Sequence, residues 1–212
     1  MSPIIENLRL FNSKERYFLV NYATKGGFAL SDKFCDEVNN ELNLKLPESP
    51  FVAMDYHLDW ILASLELAQP QHHGWQEIQP NFSNHSQDVK ATQEDSDFII
   101  AFENGADTHI VLLEVKGVIG WTNKQLQSKA ERLAQIFGKD GKRWPRVVPH
   151  FATASPKKSK GLIIDKLPTW MKPDGNLAWI KLPETEGLWM VSRCDDGGSK
   201  TKEGKRWTIA KR

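Results

Sequence analysis

The sequence predicts a mixed α/β fold, and three neighbouring segments support this prediction. Residues 110–117 form an apolar run that contains two charged residues and is typical of a buried strand. Residues 97–102 form a second apolar run, and the Asn-Gly pair at positions 104 and 105 indicates a β-hairpin between them. Residues 123–137 then show apolar positions at helical spacing. A hairpin followed by an amphipathic helix is typical of a sheet that is covered by helices.

The part of the chain before the hairpin is predicted to be mostly helical. Asn12 and Glu15 predict a capping box for a first helix, which ends at Lys25-Gly26-Gly27. Ser31 predicts the cap of a second helix, and a third helix is predicted over about residues 53–68. The apolar stripe of the third helix consists of Leu58, Ile61, Leu62 and Leu65. These helices supply one covering layer for the sheet.

The remaining elements are mostly short strands. Residues 75–78 are predicted to be a strand and residues 79–94 a polar loop. Thr122 is predicted to cap the fourth helix, Gly138 to end it, and residues 146–154 to form another strand. Further strands are predicted at 162–165, 178–182, 188–193 and 207–210, with a turn at 195–198. All of these elements fit a single α/β domain of 212 residues.

Composition restricts the class of protein. The chain is 40% hydrophobic, which is enough for a sizeable core, and no apolar run approaches the ~20 residues of a membrane helix. The first residues lack the basic and apolar segments of a secretory signal. Cys35 and Cys194 lie in dissimilar contexts, so we expect reduced thiols and a cytoplasmic protein with no membrane partner. The adjacent His72 and His73 do not have the spacing of metal ligands.

The net charge of +1 hides a strong asymmetry between the two halves of the chain. Residues 1–106 contain 7 basic and 16 acidic residues, a balance of −9. Residues 107–212 contain 21 basic and 11 acidic residues, a balance of +10. The basic half predicts a polyanionic partner. The alternative is that the two halves pair with each other.

Glu114 and Lys116 are the most informative charged residues. They lie two apart in the apolar strand and therefore point to the same face of the sheet. Charged side chains are seldom buried without partners, so we expect this face to be a functional site. The alternative is an ordinary ion pair on a solvated sheet, which the apolar residues on both faces disfavour.

The length of the hairpin loop decides which acidic residue meets Glu114. A loop of Asn104 to Asp107 places Asp97 opposite Glu114, whereas an Asn104-Gly105 turn places Asp95 there and Asp97 diagonally beside it. A three-residue loop would put Asp97 on the other face. Opposed Cβ atoms lie ~5 Å apart and diagonal ones ~7 Å. Two of the three registers therefore predict paired carboxylates that suit a hard divalent cation, above all Mg²⁺.

Asp97, a hairpin and then Glu114-Val115-Lys116 resemble the Asp…Glu-x-Lys signature of the PD-(D/E)XK nucleases. Ser96 stands where the proline of that signature would be. The resemblance covers about residues 53–155. It implies a restriction-endonuclease-like αβββαβ core with a mixed sheet flanked by helices. Residues 1–52 would then be an N-terminal helical part and residues 156–212 a basic, β-rich C-terminal extension.

The resemblance also implies roles for the residues of the signature. Asp97 and Glu114 would hold Mg²⁺, for which Mn²⁺ is expected to substitute, and the carbonyl of Val115 would be a third ligand. Lys116 would orient the attacking water and offset the developing negative charge. The three predicted catalytic residues would thus share one face of the sheet: Asp97, Glu114 and Lys116.

Two further catalytic residues are implied with less support from the motif. Gln125 resembles a glutamine that some of these nucleases carry at the start of the helix after the lysine strand. Its alternative role is to close a capping box with Thr122. The family also has an acidic residue on the helix before the first core strand, and Asp59 is preferred here over Asp55 and Glu15.

Basic residues are the predicted nucleic-acid contacts. On the fourth helix these are Lys129 and Arg132, which lie beside the buried stripe. In the second half of the chain they are Lys157, Lys158, Lys160, Lys200, Lys202, Lys205 and Arg206. Trp121 follows the Glu-x-Lys strand and is expected either to stack on a base or to pack in the core.

We therefore expect a cytoplasmic, Mg²⁺-dependent nuclease that acts on DNA. One alternative is a catalytically inactive module on the same fold that binds nucleic acid or protein. Another is an enzyme that acts on RNA or nucleotides. The sequence leaves open the recognition site, endonuclease or exonuclease action, the biological role and the oligomeric state, including a homodimer.

Overall fold

The computed structural model describes residues 2–24, 28–78, 80–84, 87–91, 94–117, 121–184, 187 and 189–211. The chain divides into two compact units, of which the first ends at Lys181 and the second begins at Leu182. Within the described residues, the first unit contains six α-helices and a five-stranded sheet. The second unit contains a two-stranded sheet.

The five-stranded sheet has its strands in chain order. They are β1 (Phe51–His57), β2 (Asp95–Asn104), β3 (Asp107–Val115), β4 (Val147–Ser155) and β5 (Ala178–Lys181). The first three strands run antiparallel to their neighbours, and β3, β4 and β5 run parallel. The parallel step from β3 to β4 contains the longest helix, as parallel pairing requires a long crossover. The predicted mixed α/β class is confirmed.

The turn of the β2–β3 hairpin fixes the alignment of its strands. Asn104 pairs with Asp107 and Glu103 with Thr108, so Gly105 and Ala106 form the turn. Gly105 has a φ of +62°, a conformation that glycine adopts without the steric cost of a side chain. Of the three registers considered above, this is the one that places Asp97 opposite Glu114.

Helices cover both faces of the sheet. The helices are α1 (Pro3–Phe11), α2 (Glu15–Ala23), α3 (Asp32–Leu42), α4 (Leu58–Leu67), α5 (Trp75–Ile78) and α6 (Asn123–Phe137). Leu8, Ile61 and Leu133 from α1, α4 and α6 share one core cluster with the sheet residues Ile99 and Leu112. On the opposite face, Phe34 of α3 packs edge-on against Phe98 of β2, with ring centroids 6.1 Å apart.

The predicted helix over residues 53–68 was wrong in its first part. Residues 51–57 form β1, which pairs with β2, and helix α4 begins only at Leu58. Sheet pairing overrides the helical spacing there because propensity is a weak local preference. The apolar stripe of the true helix is confirmed, since Leu58, Ile61, Leu62 and Leu65 are buried.

Other local predictions have mixed outcomes. The predicted strands at 75–78 and 162–165 were wrong, because the first segment is the short helix α5 and the second has no strand. Helix α1 was missed, although Ser2 caps it and Pro3 occupies its first position. The predicted Asn12 cap was wrong, since Lys14 precedes α2 without a side-chain cap. The predicted helix end at 25–27 lies outside the described residues.

Two caps are confirmed. The Ser31 hydroxyl accepts the amide hydrogen of Phe34 at the start of α3. Thr122 and Gln125 form a reciprocal capping box at the start of α6, and Gly138 ends that helix. These polar residues fix the position of α6, which follows β3 and packs over the site described below.

The second unit is an antiparallel hairpin of β6 (Trp189–Cys194) and β7 (Arg206–Lys211). The predicted strands are confirmed where they are described, and the predicted turn at 195–198 begins a longer connection. Gly204 lies against β6 in that connection, where an added Cβ would be 2.1 Å from the carbonyl oxygen of Cys194. Cys35 and Cys194 are free thiols.

Candidate active site at the open end of the β2–β3 hairpin

Asp97 and Glu114 face each other across β2 and β3. They lie one step beyond the last aligned pair, Phe98 with Leu113, at the end of the hairpin away from its turn. The amide of Val115 donates a hydrogen bond of 2.6 Å to Oδ2 of Asp97. The backbone of the Glu-x-Lys segment therefore holds the Asp97 carboxylate directly.

Glu114 is buried, with only 3% of its surface exposed. Nζ of Lys129 on α6 lies 3.1 Å from Oε1 of Glu114, and the same ammonium donates to the carbonyl oxygen of Asp95. The contact with Glu114 is an ion pair without good hydrogen-bond direction. Among the described residues, Oε1 of Glu114 has no hydrogen-bond partner. The Lys129 ammonium is nevertheless the charge partner of this oxygen, and both its charge and its hydrogen bonding lower the pKa of Glu114.

The pKa of Glu114 is raised from its ordinary value of 4.5 to about 7. Burial is the largest cause, because removal from water disfavours the charged form. The neighbouring Asp97 raises the pKa further, whereas Lys129 and Lys116 lower it. The two carboxylates therefore repel each other across the hairpin.

Lys116 lies just beyond the end of β3. Its amide donates to the carbonyl oxygen of Ala154 on β4, which continues the parallel pairing. Its ammonium lies 4.5 Å from the ring centroid of Trp121. Such a cation–π contact holds a lysine in a defined position without neutralising its charge.

Trp121 is buried rather than displayed to solvent, with 8% of its surface exposed. Its amide donates to the hydroxyl of Ser159, and its ring lies under Lys116. This arrangement supports packing over base stacking, which were the two alternatives for this residue. Trp121 links the Glu-x-Lys segment to the loop that follows β4.

Asp95 brings further charged groups to the same end of the hairpin. Its carboxylate lies 2.8 Å from Nζ of Lys14 and 2.8 Å from Nδ1 of His57. From the sequence, Asp95 was expected at the site only in another register, and no role was predicted for Lys14 or His57. Asp95 and Asp97 lie two residues apart on one strand, so their side chains point to the same face. This spacing is the sequence feature that could have placed Asp95 beside the carboxylate pair.

Asp55 adopts a left-handed backbone conformation within β1, with a φ of +50°. It lies between Met54 and Tyr56, which pair with Phe98 and Ser96, and is therefore beside Asp97 in the register. This conformation is uncommon for a residue other than glycine, and such strain is often found at functional sites. Oδ2 of Asp55 lies 3.7 Å from Nη1 of Arg16.

Asp59, the preferred acidic residue of the sequence analysis, is engaged elsewhere. It forms an ion pair with Arg132, which is buried with 4% of its surface exposed. It also accepts the amides of Lys90 and Ala91 from the polar loop. These contacts give Asp59 a structural role, and the burial of Arg132 argues against the predicted phosphate contact. Glu15 is exposed at the start of α2.

Gln125 is exposed and bonded to Thr122. Its side-chain Oε1 accepts hydrogen bonds from the backbone amide and the hydroxyl of Thr122. The backbone amide of Gln125 in turn donates to the hydroxyl oxygen of Thr122. The structure therefore contains the capping box that was the alternative to a catalytic role. The predicted contact residues Lys157, Lys158 and Lys160 are exposed in the loop after β4.

A small cavity of about 200 Å³ lies between β4 and the loops that follow β4 and precede β5. Thr153 of β4, which is the neighbour of Glu114 in the register, lines it together with Lys158 and Trp179. The ammonium of Lys158 lies 6.0 Å from the ring centroid of Trp179. The cavity thus has a cationic and aromatic wall, although neither Asp97 nor Glu114 lines it.

The residues present were tested for their fit to a hard divalent cation. Among the described residues, no three His, Cys, Asp or Glu side chains converge as metal ligands. Magnesium needs only one or two carboxylates, because waters and phosphate oxygens complete its shell. The repulsion between Glu114 and Asp97 is what a bound cation would relieve. The carboxylates of Asp97 and Glu114 are therefore compatible with such an ion, with Lys129 as its competitor.

Comparisons with protein families, curated proteins and solved structures found no match to this chain. Its function is therefore argued from the geometry of the site. In the parts of the chain that are described, every helix is too short or too polar to cross a lipid bilayer.

Proposed function

We propose that the protein is a metal-dependent nuclease of the PD-(D/E)XK type that hydrolyses phosphodiester bonds, most readily in DNA. The observation that carries this proposal is the pair of Asp97 and Glu114, which oppose each other on adjacent strands with Lys116 at the end of the second. The raised pKa of Glu114 and the strained backbone at Asp55 support a functional rather than a structural role for this cluster.

The strand arrangement also supports the proposal. A β1–β2–β3 meander followed by α6 and a parallel β4 is compatible with the αβββαβ core that the resemblance implies. The helix that precedes β1 is α3 rather than the predicted segment 53–68. The acidic residue that the family would have on that helix is therefore unassigned, and Asp55 is the acidic residue of β1 that lies beside Asp97 in the register.

The proposed chemistry assigns a role to each residue of the signature. Asp97, Glu114 and the carbonyl of Val115 would hold Mg²⁺, which when bound polarises a phosphate and lowers the pKa of water. Lys116 would orient the water nucleophile and offset the negative charge that develops on the phosphate. Its contact with Trp121 keeps the ammonium positioned for both tasks.

Lys129 would control the charge of the site. Its ammonium neutralises Glu114 in the absence of a divalent cation and limits the repulsion between the two carboxylates. When the cation occupies the site, Lys129 becomes available for a phosphate oxygen, which is the contact predicted from the sequence. Replacement of Lys129 by methionine should therefore strengthen Mn²⁺ binding and weaken DNA binding.

The test is a cleavage assay with the full chain. Plasmid DNA, single-stranded DNA and RNA are incubated with Mg²⁺, Mn²⁺, Ca²⁺ or EDTA. Cleavage is expected with Mg²⁺ and Mn²⁺ only, and Lys116→Ala should abolish it. Lys124→Ala is the matched control, because Lys124 is an exposed lysine near the start of α6. A Lys116→Ala protein that cuts as fast as the parent would overturn the mechanism, and preferred cleavage of RNA would change the substrate.

One observation favours a second candidate, a non-catalytic module that binds nucleic acid or protein. The ion pair of Lys129 with Glu114 already supplies a cation to the carboxylate pair. In such a module, calorimetric titration with Mn²⁺ would show no binding that depends on Asp97. DNA binding would be present and would weaken with salt. Metal binding that is lost in Asp97→Asn would exclude this candidate.

A further inference from the structure

The terminal hairpin displays one wholly exposed face. In its register Val191 lies opposite Ile209, Trp189 opposite Lys211 and Arg193 opposite Trp207. Opposed residues and alternate residues of antiparallel strands share a face. We call this surface the tryptophan face, and it consists of Trp189, Val191, Arg193, Trp207, Ile209 and Lys211. Its four apolar members are 56–71% exposed, and its two basic members are also exposed.

The opposite face of the same hairpin is more buried. Cys194 is buried there, and Met190, Ser192, Thr208 and Ala210 are half-buried. The hairpin therefore has two different sides, and the large apolar side chains lie on the side that is open to solvent. Single exposed apolar residues are ordinary, but four on one contiguous face indicate a binding surface.

The chemistry of this face indicates its partner. Each tryptophan lies directly opposite a cation on the neighbouring strand, Trp189 beside Lys211 and Trp207 beside Arg193. The two strands contain Arg193, Arg206 and Lys211 and no acidic residue. Flat aromatic rings next to positive charges complement a ligand that alternates planar rings with negative charges. That is the chemistry of a nucleic-acid strand.

We propose that the tryptophan face binds single-stranded nucleic acid. Two bases stack on Trp189 and Trp207, and phosphates contact Lys211 and the terminal nitrogens of Arg193, whose Nε donates to the carbonyl oxygen of Gly204. The tryptophans are about 14 Å apart along the hairpin, because four residues at roughly 3.4 Å each separate their register positions. A duplex hides the faces of its bases inside the stack, so the indole rings select unpaired bases.

This inference goes beyond the proposed nuclease activity. It assigns a second surface, in the second unit, that needs neither a metal ion nor the Asp97–Glu114 pair. The lysines of the connection between β6 and β7, which were predicted to contact nucleic acid, give this segment no net positive charge. Lys200, Lys202 and Lys205 are matched there by Asp195, Asp196 and Glu203.

The experiment measures the fluorescence anisotropy of labelled oligo(dT) with the full chain in EDTA. The label is on the oligonucleotide because the protein contains 8 tryptophans and its own emission is not specific. Trp189→Ala and Trp207→Ala should each weaken binding roughly 5- to 150-fold, the loss that removal of one stacked base produces. The phenylalanine variants should retain most of the affinity. Arg193→Gln should lower the slope of log affinity against log salt by about 1.

Matched controls distinguish binding at the tryptophan face from nonspecific binding by other exposed side chains. Tyr22→Ala removes an aromatic side chain of α2 that is 91% exposed, and Lys45→Gln removes an exposed cation of the first unit. Both should bind oligo(dT) like the parent. The proposal is overturned if the two tryptophan variants bind oligo(dT) as tightly as the parent, or if they lose as much affinity for duplex DNA as for oligo(dT). It is also overturned if the parent does not bind oligo(dT) but binds phosphatidylserine vesicles. Because EDTA prevents cleavage, failure here leaves the nuclease proposal standing, and failure of cleavage leaves this one standing.

Discussion

At the scale of single residues, the site depends on a carboxyl group that folding places in an unfavourable environment. Glu114 has its pKa raised to about 7 because burial and Asp97 disfavour its charge more than Lys129 favours it. The folded chain therefore binds this proton more tightly than the unfolded chain. Stability consequently falls as the pH rises from about 4.5 to about 7 and is constant with respect to this group above that range.

We expect Glu114→Gln to remove this part of the pH dependence. In EDTA, the parent should lose up to about 3 kcal/mol of unfolding free energy between pH 4.5 and pH 8 that the variant does not lose. The comparison cancels the contributions of the other titrating groups to the pH dependence. One of these groups is His150, in which burial lowers the pKa to about 4. Urea unfolding at the two pH values measures the difference.

The control for this prediction is Glu131→Gln, because Glu131 is exposed on the same helix as Lys129. That variant should keep the pH dependence of the parent. If Glu114→Gln shows the same change between the two pH values as the parent, the charge of Glu114 is not opposed by its surroundings. The repulsion from Asp97 would then no longer support a cation site.

The opposition of Asp97 and Glu114 was predictable because an Asn-Gly hairpin allows only a few registers. The sequence could not identify the partner of Glu114. Lys129 was predicted to contact nucleic acid, but the packing of α6 over β2 and β3 brings its ammonium to the carboxylate. Arg132 and Asp59 similarly find each other across 73 residues. Such contacts depend on tertiary packing, which local periodicity does not contain.

At the scale of elements, the start of α6 decides how Gln125 is interpreted. Thr122 and Gln125 form a complete capping box, so Thr122→Ala should destabilise the protein by about 1 kcal/mol. Gln125→Ala should cost less, and neither variant should slow DNA cleavage. Unfolding free energies and cleavage rates of the two variants test this. If only Gln125→Ala abolished cleavage, Gln125 would have the catalytic role that the resemblance implies.

The boundary between β1 and α4 shows where sequence patterns fail at this scale. Residues 53–57 contain apolar positions that continue the stripe of the following helix, and nothing in the local sequence separates the two elements. Their pairing with β2 determines the strand, and β2 lies about 40 residues later. Helix α6 has caps at both ends, and its predicted limits agree with the structure.

At the scale of the whole molecule, the two units differ in how they can be stabilised. The five-stranded sheet of the first unit is buried between helices, whereas the second unit is a two-stranded hairpin with one exposed face. An isolated two-stranded hairpin is only marginally stable in water. We therefore expect amides of residues 189–194 and 206–211 to exchange with solvent deuterium much faster than those of β2 and β3.

Hydrogen exchange measured by mass spectrometry checks this expectation on the full chain. Saturating oligo(dT) in EDTA should slow exchange in the terminal hairpin if that hairpin binds it. Equal protection of the two units in the free protein would contradict the prediction. In that case the second unit would be stabilised by more than its own two strands.

The alignment of Asp97 with Glu114 depends on the number of residues in the turn at Gly105 and Ala106, which lies at the other end of the hairpin. An insertion or deletion of a single codon there must either be absorbed as a bulge or shift the alignment of β2 against β3 by one position. A shift would turn Asp97 toward α3 and leave Glu114 with Lys129 alone. Natural variation in the length of this turn is therefore expected to be more restricted than its exposed position alone would require.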